Sequence, residues 1–251
     1  MASSSDRADA LVVSQGLAPT RAKAQALIMA GLVYRGDTQV LKAGQRLPVS
    51  ATLRLKGAVS PYVSRGGLKL ERALRELSPP ISGRVFADFG ASTGGFTDCL
   101  LRSGAVRVYA IDVGYGQLAD VLRQDGRVIV MERTNARHLT AESLPECVDG
   151  VVIDASFISL RLLLPAAAAV LAPGGFVLAM AKPQFEAGPE RVGRGVVHDE
   201  HVRQTILAEV RHAACDDGWR ILGECAAGIP GPKGNREHFF WLERDTEKGR
   251  I

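Results

Sequence analysis

The chain has 251 residues but only four cysteines, and no two of them form a CxxC pair. Zinc ribbons need paired cysteines and small disulfide-stabilised domains need several bridges, so both classes are disfavoured. We expect reduced, apolar thiols, as in a cytoplasmic protein. The first ten residues also lack the basic and apolar segments of a secretion signal, so none is expected.

Charged residues are absent from one long stretch, residues 162–181, which raises the question of a membrane span. The stretch contains Pro165, Pro173, Gly174 and Gly175, and residues of these types interrupt helices. The pattern therefore predicts a buried helix followed by a buried strand, without a membrane partner.

Basic residues are concentrated in the front part of the chain. Residues 1–57 hold eight Lys and Arg but three Asp, whereas the remaining 194 residues hold 23 basic and 24 acidic side chains. A basic segment attached to a near-neutral body suggests that the front part binds a polyanion.

Sequence patterning divides the chain into residues 1–57, a linker at 58–63 and residues 64–251. The first part predicts two short helices and a hairpin, which make a small α+β domain. The last part alternates seven strand-like segments with helix-length segments. This alternation predicts an α/β fold, an open Rossmann-like sheet of mostly parallel strands with helices on both faces.

The strongest local signal is a glycine-rich turn between a predicted strand and a predicted helix. Glycines let a ligand approach the backbone, and the start of a helix offers free N–H groups. Asp88 before the turn suits an ammonium group, and Asp112 at the tip of the next strand suits two ribose hydroxyls. The turn lacks G-x-G-x-x-G and the chain has no loop ending in G-K-[ST], so NAD and ATP are disfavoured.

A ribose-bearing ligand with an ammonium group remains, and S-adenosylmethionine is such a ligand. The alternative is that the two carboxylates are ordinary helix-cap or turn residues. The predicted cofactor contacts are Asp88, Gly90, Ala91, Ser92, Thr93, Gly94, Gly95, Phe96 and Asp112.

Four further charged residues lie near the ends of predicted elements. Asp154 ends one strand, Lys182 ends the next, Glu237 begins the last, and Lys69 lies on the helix before the first strand. A lysine at the end of a buried strand is unusual, and burial favours its neutral form. Clustered titratable groups are typical of catalytic sites, although solvation or ion pairing is the alternative explanation for each residue alone.

The motifs match a known family in order along nearly the whole chain. Residues 7–36 resemble an S4 RNA-binding domain. The body resembles FtsJ-like 2′-O-methyltransferases in the segments SRGGLKL, DFGASTGGFTDCLL, DVGYGQL, ERTNAR, DASFISL, KPQFE, GVVHD and GNREHFFWL. The whole chain resembles the TlyA-type rRNA 2′-O-methyltransferases, whose members are also labelled hemolysins.

The resemblance implies a seven-stranded methyltransferase sheet and a catalytic tetrad of Lys69, Asp154, Lys182 and Glu237. A ribose hydroxyl is a very weak acid, so methyl transfer needs a base or stabilisation of the developing oxyanion. Lys182 is the expected general base. No metal is expected, because the methyl group of a sulfonium is already activated.

The resemblance also implies a substrate, the cytidine 2′-hydroxyl of ribosomal RNA in the small subunit, the large subunit or both. It implies that Thr134 and Asn135, in the segment ERTNAR, lie near the adenine of the cofactor.

Contacts to RNA are expected from basic residues of the front part and from one arginine near the linker, namely Arg7, Arg21, Lys23, Lys42 and Arg65. Such side chains bind phosphates and position RNA without reading its sequence. The alternatives are a basic face that only aids solubility and, for Arg65, pairing with an acidic neighbour.

Other function classes stay open at this point. A membrane-active protein fits the hemolysin label, but the interrupted apolar stretch argues against it. A non-catalytic RNA-binding factor conflicts with the complete tetrad, and base methylation conflicts with the missing Asn/Asp-Pro-Pro-Tyr and Pro-Cys signatures.

His198 and His201 lack a third metal ligand nearby. Phe96, Phe157 and Phe185 suit either base stacking or a core.

Overall fold

A computed structural model describes residues 5–36, 38–55, 60–193, 195–231 and 234–245. The chain forms two compact units, Met1–Pro61 and Tyr62–Ile251. Residues 56–59, which include the predicted boundary at 57 and the start of the predicted linker, lie outside the described residues. The finer boundaries of the linker therefore stay predictions.

The described part of the first unit contains short strands around two helices. Its elements are β1 (Ser5–Arg7), α1 (Ala8–Ser14), α2 (Arg21–Met29), β2 (Val33–Arg35), β3 (Thr38–Gln39), β4 (Arg46–Pro48) and β5 (Leu53–Leu55). β1 pairs with β4, and β2 lies between β3 and β5. The predicted helices and the β2–β3 hairpin are present, and Thr20 caps α2 by accepting a hydrogen bond from the Lys23 backbone N–H.

The second unit alternates strands with helices as expected. Its elements are α3 (Arg65–Leu77), β6 (Val85–Phe89), α4 (Gly95–Arg102), β7 (Arg107–Ile111), α5 (Asp120–Arg123), β8 (Val128–Met131), β9 (Val148–Ile153), α6 (Leu164–Val170), β10 (Leu171–Ala181), α7 (Pro183–Glu186), α8 (Glu200–Asp216), β11 (Trp219–Ala226) and β12 (His238–Arg244). The 3₁₀ turns among the described residues are Ala136–His138, Ala141–Ser143, Leu160–Leu162 and Pro189–Arg191.

The strands of the second unit form one seven-stranded sheet in the order β11-β12-β10-β9-β6-β7-β8. β12 is antiparallel to both of its neighbours, and the other pairs are parallel. The predicted α/β sheet is thereby confirmed. Because β12 is antiparallel, its first residue, His238, pairs with Ala181 at the carboxyl end of β10. The start of β12 therefore lies at the same sheet edge as the ends of β6, β9 and β10.

Alternate residues of the central strands fill two separate cores. Phe89 and Ile153 belong to the core on one face of the sheet, with Leu207 of α8. Phe86 belongs to the core on the other face, with Leu70 of α3. Both faces of the sheet are covered, which explains why the strands read as nearly continuous apolar segments.

The charge-free stretch at residues 162–181 forms the end of a 3₁₀ turn, then α6 and β10, in agreement with the expected buried helix and strand. Pro165 lies in the first turn of α6, where its missing N–H has no partner to lose. Within the described ranges, no helix has both the length and the apolar character that a membrane crossing requires.

Candidate active site

The four predicted catalytic residues line one cavity of about 580 Å³. Asp154 directly follows β9 and Lys182 directly follows β10, so the parallel sheet brings both to its carboxyl edge. Glu237 precedes the antiparallel β12 and reaches the same edge, and Lys69 comes from α3. The cavity is also lined by most of the glycine-rich turn between β6 and α4.

Lys182 forms an enclosed ion pair with Asp154. Its Nζ lies 2.6 Å from Asp154 Oδ1, 3.0 Å from Ser156 Oγ and 3.3 Å from the Asp154 carbonyl oxygen. These three acceptors match the three N–H donors of an ammonium group. Only 9% of the Lys182 side chain is exposed. The contacts therefore fix the position of Nζ in the cavity.

Lys69 forms a second enclosed ion pair, with Glu237 Oε2. Both side chains are almost fully buried, and the pair joins α3 to the residue before β12. Removing one partner of such a pair leaves an uncompensated buried charge, which costs about 3–5 kcal/mol. The tetrad is therefore arranged as two lysine–carboxylate pairs on the wall of one cavity.

The glycine-rich turn packs directly against the segment that carries Asp154. Gly90 and Gly94 have φ angles of +86° and +95°, which glycine adopts without strain. A Cβ atom on Gly90 would lie 3.0 Å from the carbonyl oxygen of Asp154. A Cβ atom on Gly95 would overlap Ser64 Oγ. Glycine at these positions lets the backbone lie close to the cavity.

Asp88 lies beneath this turn and does not line the cavity. Its Oδ2 accepts hydrogen bonds from the Thr97 backbone N–H at 3.0 Å and from Thr97 Oγ1 at 2.7 Å. Its Oδ1 is buried without a hydrogen-bond partner among the described residues. Burial raises the pKa of Asp88 to about 7. Asp88 thus anchors the first turn of α4, and its predicted contact with an ammonium group stays a prediction.

Asp112, after β7, is linked to the glycine-rich turn. Its Oδ2 accepts from the Ser92 backbone N–H at 2.8 Å, and its Oδ1 accepts from the Gly114 N–H at 2.7 Å. The Thr134 backbone N–H donates to the Asp112 carbonyl oxygen, and the Asn135 side chain caps the 3₁₀ turn Ala136–His138. The residues that line the cavity do not include these three, so their proposed contacts with ribose and adenine are untested.

Comparison with known proteins identifies the family. A model of the FtsJ-like methyltransferases matches residues 62–244, and a model of the S4 domain matches residues 6–53. A Mycobacterium tuberculosis protein named 16S/23S rRNA (cytidine-2′-O)-methyltransferase TlyA is 44% identical over 96% of this chain and 91% of its own. The chain is a TlyA-type member of the FtsJ-like methyltransferase family.

Two other relatives agree with this assignment. A Bacillus subtilis protein provisionally named rRNA methyltransferase YqxC is 46% identical, over 96% of this chain and 88% of its own. The solved structure of a Streptococcus thermophilus protein provisionally named a hemolysin has a TM-score of 0.77 at 42% identity, covering 98% of this chain and 90% of that chain. Hemolysin and methyltransferase names thus occur side by side among relatives of the same architecture.

Family motifs also hold residues in or beside the cavity wall that sequence patterning did not single out. Asn235, in GNREHFFWL, is buried, donates to the Gly195 carbonyl oxygen at 2.9 Å and accepts from the Val197 N–H at 3.0 Å. It thereby holds one cavity wall next to Glu237. Glu186, in KPQFE, is the last residue of α7 and accepts from Ser159 Oγ at 2.6 Å, which ties α7 to the segment after Asp154. The sequence does not signal the burial of Asn235, because polar residues in loops are usually exposed.

The three candidate stacking phenylalanines have different environments. Phe96 is buried and stacks on Phe239 with ring centroids 5.9 Å apart. Phe157 is 89% exposed at the cavity and has a φ of +65°, a strained value for an aromatic residue. Its ring lies 4.9 Å from that of Phe185. Phe157 and Phe185 therefore present aromatic surface at the cavity, and Phe96 belongs to the core.

The five candidate RNA contacts lie in two places. Arg7, Arg21, Lys23 and Lys42 are exposed residues of the S4 unit, and Arg7 and Arg21 both bind Asp9. Arg65 belongs to the methyltransferase unit and lines the cavity.

His198 and His201 are exposed, and no group of three or more His, Cys, Asp or Glu that suits a metal occurs within the described ranges.

Proposed function

We propose that the protein is an S-adenosylmethionine-dependent rRNA (cytidine-2′-O)-methyltransferase that acts on the small ribosomal subunit, the large subunit or both. The observation that carries this proposal is the meeting of Lys69, Asp154, Lys182 and Glu237 in one cavity beside a glycine-rich turn. The S4 domain supports an RNA substrate. A relative named for cytidine 2′-O-methylation supports the choice of nucleotide and atom.

The residues around the glycine-rich turn fit the proposed cofactor. The turn offers closely approachable backbone, Asp112 offers a carboxylate for ribose hydroxyls, and Asp88 has one buried oxygen without a partner in the described residues. We assign cofactor binding to this turn and to Asp112, with Thr134 and Asn135 on the adenine side. S-adenosylmethionine bound there supplies an activated methyl group.

Lys182 is the proposed general base for the ribose 2′-hydroxyl. It accepts the hydroxyl proton at Nζ, and Asp154 and Ser156 hold that atom in place. A general base must be neutral at the moment when it accepts the proton. Glu237 holds Lys69, and the charge of Lys69 stabilises negative charge that develops on the ribose oxygen.

Replacement of Lys182 tests this assignment. We expect Lys182→Ala to lower methyl transfer from labelled S-adenosylmethionine to isolated 30S and 50S subunits by about 10³-fold, because proton transfer in the transition state is lost. Lys182→Arg is the matched control, since arginine keeps the charge next to Asp154 but does not lose its proton at usable pH.

We expect both variants to be inactive and to bind S-adenosylmethionine with unchanged affinity in calorimetry. Transfer by Lys182→Arg at a rate near that of the wild type would rule out proton abstraction and would leave only a charge-stabilising role. Transfer by Lys182→Ala within about tenfold of the wild type would remove Lys182 from the mechanism.

A further inference from the structure

One carboxylate of the S4 unit is buried and holds two of the proposed RNA-binding arginines. Asp9 is fully buried in the first turn of α1. It accepts hydrogen bonds from Arg7 Nε at 3.0 Å and Arg7 Nη2 at 2.9 Å, and from Arg21 Nη2 at 3.3 Å. Gln25 Nε2 donates to the same carboxylate at 2.9 Å. Donors from β1 and α2 therefore converge on one buried anion of α1.

The two guanidinium groups remain accessible on their other edges. The Arg7 side chain is 45% exposed and the Arg21 side chain is 57% exposed. Arg7 also lies against Gly44, where a Cβ atom would be 3.2 Å from Arg7 Nη1. A guanidinium group has five N–H donors, so each arginine keeps donors for another ligand after binding Asp9. Asp9 thus holds Arg7 and Arg21 in place on the buried side, and the rest of each guanidinium group is exposed to solvent.

The buried carboxylate lowers the net positive charge of the proposed RNA-binding surface, and a surface that served only solubility would not need it. Asp9 neutralises one of the two positive charges that this surface offers to a polyanion. Hydrogen bonds from Arg7 hold the pKa of Asp9 far below its usual range, so the carboxylate is ionised throughout the pH range in which RNA binding is measured. A carboxylate that lowers the net charge of a phosphate-binding surface needs a compensating benefit.

We propose that Asp9 is a positioning residue that holds Arg7 and Arg21 as one preformed, phosphate-binding pair. This inference rests on the proposed function, because it takes ribosomal RNA as the ligand of the S4 unit. Ordering a long side chain at an interface opposes binding, and Asp9 orders both arginines before RNA arrives. Planar guanidinium groups in a fixed geometry then bind phosphate oxygens through several charge-assisted hydrogen bonds.

Asp9→Asn separates positioning from charge, because the two effects have opposite signs. Loss of a negative charge beside two arginines strengthens RNA binding if only charge matters. We expect the opposite, an affinity of the full chain for isolated 30S and 50S subunits that is about tenfold weaker at fixed salt. The rate at saturating subunits stays within about twofold of the wild type, so the defect appears in KM and not in kcat.

Asp6→Asn is the matched control. Asp6 is an exposed acidic residue of β1 whose carboxylate accepts from the Arg7 backbone N–H rather than from a guanidinium group. This variant removes the same charge and leaves the arginine side chains on Asp9, so we expect unchanged or tighter binding. Asp9→Asn that binds as tightly as Asp6→Asn would overturn the proposal.

A second variant covers the case in which Asp9→Asn unfolds the unit, which hydrogen exchange of α1 and α2 would reveal. Gln25→Met removes one hydrogen bond to Asp9 without changing charge or side-chain length, and we expect about threefold weaker binding. Unchanged affinity in Gln25→Met would overturn the proposal in that case.

The double variant Arg7→Ala/Arg21→Ala separates this inference from the proposed function. Unchanged subunit affinity in the double variant would remove both arginines from the RNA interface, and the positioning role would fall with them. Weaker binding in the double variant, together with wild-type binding in Asp9→Asn, would overturn only the positioning role.

Discussion

At the scale of single residues, the buried charges are concentrated in the places to which function is assigned. Lys69, Lys182 and Glu237 are buried at the cavity, and Asp9 is buried in the S4 unit. A buried charge is stable only when it is paired and hydrogen-bonded, and each of these has a partner of opposite charge. Charged groups held in place before substrate binds need no rearrangement during the reaction, which favours catalysis.

Asp88 is the exception, since one of its oxygens has no partner in the described residues. Its pKa is raised to about 7 by burial, so between pH 4 and 7 the folded protein holds a proton that the unfolded chain releases. The contribution of Asp88 to stability is therefore largest in acid and is lost as the pH rises through 7. Each pKa unit corresponds to about 1.4 kcal/mol, which gives a loss of about 4 kcal/mol.

The variant Asp88→Asn measures this contribution. Asparagine keeps an acceptor for Thr97 but does not titrate, so we expect the variant to become more stable than the wild type as the pH rises from 5 to 8. Both tryptophans, Trp219 and Trp241, lie in the methyltransferase unit, so their fluorescence follows its denaturant unfolding. Parallel pH profiles for the two proteins would contradict the assignment of this proton to Asp88.

At the scale of secondary-structure elements, the site depends on how closely the turn after β6 packs against the residue after β9. Gly90 makes this approach possible, because its φ is positive and a Cβ atom there would lie 3.0 Å from backbone atoms of both Asp154 and Ala155. An alanine there meets both a strained φ and a backbone contact that has no room to move.

We therefore expect Gly90→Ala to weaken cofactor binding by at least about tenfold and to lower stability by about 1–3 kcal/mol. Gly83→Ala is the matched control, because Gly83 also has a positive φ, +75°, but a Cβ atom there meets nothing within 4 Å. Calorimetry with S-adenosylmethionine separates the two variants, and we expect the control to keep wild-type affinity. Equal loss in both variants would show that strain alone, not the close approach, sets cofactor affinity.

The long strands and helices were predictable from sequence because their apolar residues repeat over several turns or pleats. β1, β4 and β5 were not predicted, since strands of three residues carry too little pattern. The buried helix expected in the charge-free stretch begins only at Leu164, because Pro165 lacks an N–H and starts a helix instead of continuing one.

The site was partly predictable for a topological reason. Parallel strands end at one sheet edge, so residues at strand ends, such as Asp154 and Lys182, meet there. The sequence does not reveal which lysine pairs with which carboxylate, since Lys69 and Glu237 are 168 positions apart. It also does not reveal that a polar loop residue such as Asn235 is buried.

At the scale of the whole molecule, the two units carry different tasks. The S4 unit is basic and presents arginines held by Asp9, while the near-neutral methyltransferase unit holds the cavity with its two ion pairs. In our account the first unit supplies affinity for RNA phosphates and the second supplies the reaction. Changes in the S4 unit are therefore expected to affect KM for RNA, and changes in the tetrad are expected to affect kcat.

The most direct test of the central claim is the chemical identity of the product. The full chain is incubated with labelled S-adenosylmethionine and isolated 30S and 50S subunits, and the rRNA is then digested to nucleosides for mass spectrometry. Our account predicts 2′-O-methylcytidine, from one or both subunits. A methylated base, or no label on either subunit despite measurable binding of S-adenosylmethionine, would contradict it.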